Sequence, residues 1–213
     1  MVFTPPRDSS RQDKLRVLLE DTYHKRNLVH LSAGSAVPLL RNSIWLVVRG
    51  MVKLGAISIH GDELLLGLAG PNEPFGEPMS NVEAYGATTL ADSDLLCFSL
   101  DEIEQTPYLA MALLRAATSR MRQSEALIGL LGLRRVEERL RGFLELLAAD
   151  YGQPCDEGLK LNLRLTHQDL ASALSTTRVT VTRVLGQLRE EGWLQIDSQR
   201  HLVVANLPKR WIA

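Results

Sequence analysis

The segment from Leu165 to Leu188 constrains this chain more than any other part of its sequence, because it holds two helical periodicities separated by a turn. Thr166 and Thr177 are suitable N-caps for the two helices. The inward positions recur every three or four residues; they are Leu170, Ala173, Leu174, Val181, Leu185 and Leu188. Ser175 falls in the turn, where a left-handed residue other than glycine costs about 1 kcal/mol. The pattern predicts a helix-turn-helix.

The second helix leaves four side chains on its outer face near its start, namely Arg178, Val179, Thr182 and Arg183. A recognition helix contacts bases in the major groove with its N-terminal residues. Arginine binds guanine O6 and N7 with two hydrogen bonds, and valine contacts a thymine methyl group. We therefore expect these four residues to contact bases. The residues expected to contact phosphates are Thr166, Gln168, Thr177 and Thr180. The alternative, an amphipathic helix pair with solvated arginines, is disfavoured by the scarcity of acids in the segment.

The neighbouring sequence predicts that this motif belongs to a winged helix domain spanning residues 136–213. Residues 159–165 alternate strictly between leucine and polar residues, which is typical of a strand with one buried face. Residues 193–205 are typical of a strand, a tight turn and a second strand, which together would form a wing beside it. A further helix is expected over residues 136–150, with inward positions at Leu140, Phe143, Leu144 and Leu147.

The first half of the chain predicts an antiparallel β domain over residues 28–104. Short apolar runs separated by turn residues favour strands at 43–48, 51–59, 63–68, 84–90 and 94–99. Many short strands at this spacing indicate a sandwich or cupin-like jelly roll. Residues 1–27 are expected to form an N-terminal arm with a short helix near residues 14–23. The fold class is therefore α+β.

A long helix is expected between the two domains, over residues 107–133 within a segment spanning 105–135. Its outer positions step by three and four residues, as in the seam of a coiled coil; they are Leu114, Ala117, Met121, Ser124, Ile128 and Leu131. A lone helix between two domains has little to pack against, so pairing with a second copy predicts a two-fold dimer. The alternative is a monomer whose helix packs on its own domain.

Charge is distributed unevenly, although the net charge is only −1. Residues 50–114 contain one lysine, no arginine and ten acids, whereas residues 134–213 contain twelve basic residues and ten acids. Nucleic-acid binding must therefore depend on a local basic face. Cys97 and Cys155 support neither a disulfide framework nor a metal cluster. We expect a cytoplasmic protein without a membrane span, metal or cofactor.

The order of jelly roll, long helix and winged helix resembles the CRP/FNR family of bacterial transcription regulators. The resemblance covers residues 28–204, with Gly50 and the Phe75-Gly76-Glu77 segment as further markers. Residues 177–183, together with residues 119–120 and 123–125, are most similar to the cyanobacterial nitrogen regulators of the NtcA type. The family implies a jelly roll of the cyclic-nucleotide-binding type, a DNA palindrome of the GTA/TAC type, and RNA polymerase as a partner.

The resemblance also implies an effector site, and here the sequence departs from the family. Cyclic-AMP receptors carry an Arg-Ser pair where this chain has Ala84 and Tyr85, so a cyclic phosphate would lack its cationic partner. Nitrogen regulators bind 2-oxoglutarate through backbone amides of the Phe-Gly segment, a strand arginine, and an arginine and glutamate on the long helix. Arg120 and Glu125 match the last two, but Glu83 or Ala84 replaces the strand arginine. The residues of this candidate effector site are Phe75, Gly76, Glu77, Arg120 and Glu125.

Three alternatives accompany this interpretation. Arg120 and Glu125 could instead form an ion pair between subunits beside the dimer seam, which we favour over an effector contact. A cupin-like metalloenzyme would need clustered histidines, and only His60 falls at a predicted strand end. A protein-binding module without DNA contacts would not need Arg178 and Arg183. A homodimeric DNA-binding regulator whose effector is absent or is not cyclic AMP agrees best with the residues.

Overall fold

The structure is a computed structural model that describes residues 28–205. The short helix expected near residues 14–23 lies outside the described residues. The chain forms two compact units, whose described parts are residues 28–124 and residues 125–205. The boundary between the units falls within the long helix that the sequence predicts as a separate segment.

The first unit contains two antiparallel sheets, which confirms the predicted β domain. Its strands are β1 Val29–Leu31, β2 Ser43–Arg49, β3 Val52–Ile57, β4 Glu63–Ala69, β5 Pro74–Phe75, β6 Gly86–Thr89 and β7 Ser93–Ser99. One sheet has the order β1-β7-β2-β5 and the other has the order β4-β3-β6. The strand predicted from residue 84 begins only at Gly86, because Ala84 has a left-handed φ of 51° and belongs to the preceding turn. The very short strands β1 and β5 show no periodicity in the sequence.

Alternation along β2 divides the core of this unit into two layers. Trp45 and Val47 face a cluster that includes Val52 and Leu54 of β3. This cluster draws on both sheets and so fills the space between them. Leu46 faces the other way. The outer layer consists of Leu46, Leu96, Phe98, Leu109 and Leu113, so a helix covers the outside of the sheet.

The covering helix follows a short helix that the sequence analysis missed. Helix α1 (Leu100–Gln105) begins at Ser99, whose side chain accepts a hydrogen bond from the Glu102 amide. The Ser-x-x-Glu spacing is the recognised signature of such a start. Helix α2 (Pro107–Leu131) then extends for 25 residues and ends two residues earlier than expected.

The second unit has the predicted winged-helix elements. They are α3 Val136–Tyr151, β8 Gly152–Cys155, β9 Gly158–Leu161, α4 His167–Ala173, α5 Arg178–Glu190, β10 Leu194–Ile196 and β11 Leu202–Val204. The wing strands β10 and β11 pair with each other, and β11 pairs with β9, as the sequence predicts. Strand β8 was not predicted and completes a sheet of order β10-β11-β9-β8.

Gly50 offers a test of the jelly roll, because two constraints coincide there. Its φ is +95°, and an added Cβ would lie 2.6 Å from the Asp92 carbonyl oxygen and 2.7 Å from Ser93 Cα. Gly61 is the matched control, with φ +85° and no atom within 4 Å of an added Cβ. We expect Gly61→Ala to lower the free energy of unfolding by about 1–2 kcal/mol and Gly50→Ala to lower it by about 3 kcal/mol or more, as measured by urea denaturation. Equal losses of unfolding free energy in the two variants would show that the close approach of Gly50 to β7 does not contribute to stability.

Candidate DNA-binding interface

The first helix of the helix-turn-helix begins at a reciprocal capping box, which confirms Thr166 as its N-cap. The Asp169 amide donates to Thr166 Oγ1 at 3.0 Å, and the Thr166 amide donates to Asp169 Oδ2 at 2.9 Å. The Thr166 hydroxyl also donates to Asp169 Oδ2 at 2.6 Å. Two amides that a helix end would leave unpaired are thus satisfied. Asp169 is buried in this role.

The turn between the two helices has the backbone conformation expected from the sequence. Ser175 has a φ of 47°, so a serine occupies the left-handed position that glycine would adopt without strain. The Thr176 amide donates to the Ala171 carbonyl at 3.1 Å, which closes the turn. Thr177 then caps α5, its hydroxyl accepting from the Thr180 amide at 3.2 Å.

Burial separates the inner and outer faces of α5 as predicted. All six inward positions expected in the two helices are buried, and Val184 joins them on α5. The outer residues Arg178, Val179, Thr182 and Arg183 are exposed. Val179 is 80% exposed. An exposed apolar side chain flanked by arginines favours a surface that contacts another molecule.

Hydrogen bonds restrict what several of the polar side chains can offer to a ligand. The Thr182 hydroxyl donates to the Arg178 carbonyl at 2.9 Å and lies 2.7 Å from His167 Nδ1. The Thr177 and Thr180 hydroxyls lie 2.9 Å apart. Arg183 Nη1 donates to Gln187 Oε1 at 3.0 Å.

The position of Gln168 and the absence of ion pairs complete the description of this face. Gln168 is exposed and makes only a long contact, 3.5 Å, to the Ser172 hydroxyl. Within residues 28–205, no ion pair engages the Arg178 or Arg183 side chain. Two arginine cations are therefore available to an anionic ligand.

An aspartate that the sequence analysis did not single out organises the wing turn. Asp197 Oδ1 accepts from the Gln199 and His201 amides at 2.9 and 2.8 Å, and Lys160 Nζ lies 2.9 Å from Oδ2. The lysine hydrogen bond, followed by the His201 amide, holds the pKa of Asp197 well below its usual range. The Asp-Ser-Gln-Arg sequence is rich in residues that favour turns, and this composition is the sequence feature that could have identified the wing turn.

Arg141 of α3 attaches the end of the recognition helix to the rest of its unit. Its guanidinium lies 4.7 Å from the centre of the Trp193 ring and 2.7 Å from Glu191 Oε2. Because Glu191 is the C-cap of α5 and Trp193 precedes strand β10, these contacts hold both elements to α3.

The candidate effector residues of the jelly roll have separate roles in the structure. Phe75 is buried in the core between the sheets, whereas Glu77 lies at the surface, 3.7 Å from Arg41. Glu83 is exposed and Ala84 lies in a turn, so no arginine replaces the absent strand cation there. Glu125 is exposed on α2.

Arg120 and Gln123 of α2 both bind the backbone of a single residue of strand β4 and so attach the helix to the sheet. Arg120 Nη1 donates to the Leu68 carbonyl, and Gln123 Oε1 accepts from the Leu68 amide at 3.1 Å. Gly67 permits this approach, since an added Cβ would lie 3.0 Å from Arg120 Nη1. An ion pair between Arg120 and a second subunit stays a prediction.

Tyr85 is the polar group of the jelly-roll core that lies near Arg120. Burial raises the pKa of its hydroxyl, while the Arg120 charge and a hydrogen bond from the Gly76 backbone act in the opposite direction. Gly76 and Arg120 of the candidate effector site thus share Tyr85 as a neighbour. Sequence reasoning noted Tyr85 only as a departure from the cyclic-AMP receptors.

The outer stripe of α2 is apolar and exposed in the single chain. Leu114 is 59% exposed, Met121 56% and Ile128 69%. Leu131 is exposed to 37%, and the smaller Ala117 and Ser124 are half-buried. A stripe of large apolar side chains at coiled-coil spacing is suited to pairing with an identical helix.

The described residues form neither a cluster of metal-ligating side chains nor a membrane-spanning helix. Among residues 28–205, no group of three or more histidine, cysteine, aspartate or glutamate side chains could hold a metal ion. Within the same range, no helix has the length and apolar character that crossing a membrane requires.

Comparison with known proteins places this geometry in a family. Residues 138–209 match the model of the Crp-like helix-turn-helix domain. The chain is 34% identical over 166 residues to the global nitrogen regulator of Nostoc sp. PCC 7120, covering 74% of each chain. It is 30% identical over 166 residues to the cyclic AMP receptor protein of Thermus thermophilus, covering 74% of this chain and 73% of the relative.

A solved structure agrees with these sequence matches. A CRP/FNR family transcriptional regulator from Thermus thermophilus superposes with a TM-score of 0.68 and 25% identity, covering 86% of this chain and 96% of the other. These relatives are transcription regulators and not enzymes, which confirms the expected class of protein and argues against the cupin-like metalloenzyme. With the helix-turn-helix, the jelly roll and the 34% identity to a global nitrogen regulator in agreement, the chain belongs to the CRP/FNR family of transcription regulators.

Proposed function

We propose that this protein is a homodimeric, sequence-specific DNA-binding regulator that reads a palindrome of the GTA/TAC type. The proposal rests on the outer face of α5. There, Arg178, Val179 and Arg183 are exposed near the start of a capped helix whose inner face is buried. A two-fold dimer would present two such faces to half-sites about 34 Å apart. RNA polymerase is the proposed protein partner at the promoter.

Each side chain of the face has a proposed role. Arg178 binds guanine, Val179 contacts a thymine methyl, and Arg183 contacts a base or the adjacent phosphate. Thr182 contacts bases through its methyl group or remaining lone pair, because its proton is already donated to the Arg178 carbonyl. Gln168 contacts a phosphate through its amide. The capping threonines Thr166 and Thr177, together with Thr180, complete the phosphate contacts.

The proposed effector behaviour follows from charge in the jelly roll. The segment 50–114 contains no arginine, and its lysine, Lys53, lies 3.7 Å from Glu63. We therefore propose that the effector is absent or is not cyclic AMP. Regulation by 2-oxoglutarate is less well supported, because no cation replaces the strand arginine and Arg120 is bonded to Leu68.

Replacing Arg178 tests the DNA-reading face. We expect Arg178→Ala to weaken binding to the palindrome by about 1–3 kcal/mol and to flatten the preference at the guanine, because a bidentate base contact is lost. Binding-site selection and gel shifts measure both effects. Arg41→Ala is the control on an exposed arginine of the jelly roll, and it should leave base preference unchanged. Unaltered selection by Arg178→Ala would show that another residue reads the guanine.

Replacing Ile128 tests the assembly. Ile128→Asp leaves a single chain almost undisturbed, because the side chain is exposed there, but it would bury an unpaired charge in a dimer. Sedimentation should show a monomer, and DNA affinity should fall with dimerisation. Arg122→Asp, exposed on the same helix but outside the stripe, should remain dimeric. An Ile128→Asp variant that stays dimeric would place the interface elsewhere.

Titration with cyclic AMP tests the effector proposal against the relative that is a cyclic AMP receptor. A cyclic phosphate keeps one negative charge, and its transfer into a pocket without a cationic partner is unfavourable. Calorimetry should detect no binding, and gel shifts should show the same DNA affinity with and without the nucleotide. Micromolar binding, or a tenfold change in DNA affinity, would contradict the proposal.

A further inference from the structure

His167 is a residue of the helix-turn-helix to which neither the sequence analysis nor the proposed function gives a role. It is the first residue of α4 and lies between Thr166 and Gln168. Its ring is half-buried, and its Nδ1 lies 2.7 Å from the hydroxyl of Thr182 on the recognition helix. The imidazole thus connects the start of the first helix to the DNA-reading face of the second.

Counting protons determines which form of the ring this contact requires. A threonine hydroxyl has one proton, and Thr182 donates it to the Arg178 carbonyl at 2.9 Å, a common bond for threonine within a helix. When Thr182 makes this bond, its oxygen accepts the hydrogen bond from His167 Nδ1. In the neutral ring only one nitrogen carries a proton. Nε2 then carries a lone pair, and it becomes a donor only when the ring gains a second proton.

The surroundings of the ring are suited to a DNA strand. His167 and Thr182 line a groove between α5 and the wing that also contains Arg164, Arg189 and Arg200. In a helix-turn-helix the first helix crosses the sugar-phosphate backbone while the second enters the groove. A neutral Nε2 would present a lone pair to a phosphate oxygen, which is repulsive. A protonated Nε2 would donate a charge-assisted hydrogen bond.

The other charged side chains that line this groove are all positive before DNA binds. Arg164 lies in the connection before α4, Arg189 on α5 and Arg200 in the wing, so the groove is lined by positive charge. The nearby acids are already engaged: Asp169 of α4 in the capping box, and Asp197 of the wing with Lys160 and His201. A phosphate in the groove reverses this balance and favours the imidazolium.

From this geometry we propose that each subunit takes up a proton at His167 on binding DNA, and that protonated Nε2 donates to a phosphate. DNA affinity then rises as the pH falls through the neutral range, where histidine titrates. The inference rests on the proposed DNA-binding function. It adds a phosphate contact and a pH dependence that do not alter which bases are read.

The test is the affinity of the full chain for a labelled GTA/TAC duplex between pH 5.5 and pH 8, at constant ionic strength. The wild-type protein should bind about tenfold or more tightly at the acidic end, because each of two subunits gains a charge-assisted contact. His167→Gln should bind weakly with little pH dependence. His167→Arg, which carries a permanent charge, should bind tightly at both ends of the range. Since the arginine variant must bind well, a general failure to fold cannot imitate the expected pattern.

Two other histidines provide matched controls. His201→Gln removes the wing histidine bonded to Asp197, and His60→Gln removes an exposed histidine of the jelly roll. Both variants should keep the wild-type pH dependence. Its loss in His201→Gln with retention in His167→Gln would overturn the assignment. Wild-type binding with pH-independent affinity would overturn the inference alone, whereas failure to bind the duplex at any pH would overturn the proposed function and this inference with it.

Discussion

The proposed DNA-reading surface depends on the hydrogen bonds that start α4 and α5. Helix α4 has seven residues, and a helix this short is not stable in water without help from caps and packing. The Thr166–Asp169 capping box and the Thr177 cap each contribute about 1 kcal/mol and fix where the two helices begin. Ser175 sets the direction of the chain between them. These local constraints determine which residues of α5 face outward, because the apolar residues of its inner face are buried in the core of the unit.

The caps also limit how the same residues can bind DNA. The Thr166 hydroxyl donates its proton to Asp169 and the Thr182 hydroxyl donates its proton to the Arg178 carbonyl, so neither hydroxyl has a proton left to donate to DNA. In the proposed complex, the donors to bases are therefore the arginines, whose side chains have several donors and no internal ion pair within the described chain. The link from Thr182 to His167 places a titratable ring beside this face. The same few side chains therefore stabilise the helix-turn-helix and form its proposed DNA-binding face.

In the jelly roll, an arginine and a glutamine connect the sheet to the long helix. Both side chains bind the backbone of Leu68, and Gly67 leaves room for them. Arg120, which a small anionic effector would need, is bonded to protein in this structure. The same helix presents its apolar stripe outward. As far as Gln123 its inner face packs on the β domain, and its outer face is suited to a second chain.

Sequence alone determined the features that depend on local periodicity and capping. These include both helices of the recognition motif, their caps, the strained turn at Ser175, the wing strands and the long helix. Very short strands such as β1 and β5, and strand β8 after α3, have too few residues to show a period, so only pairing within the fold defines them. The hydrogen-bond partners of Arg120 and of His167 were also invisible in the sequence. Each depends on an atom 15 or more residues away, at Leu68 or Thr182, and such contacts exist only once tertiary packing brings the elements together.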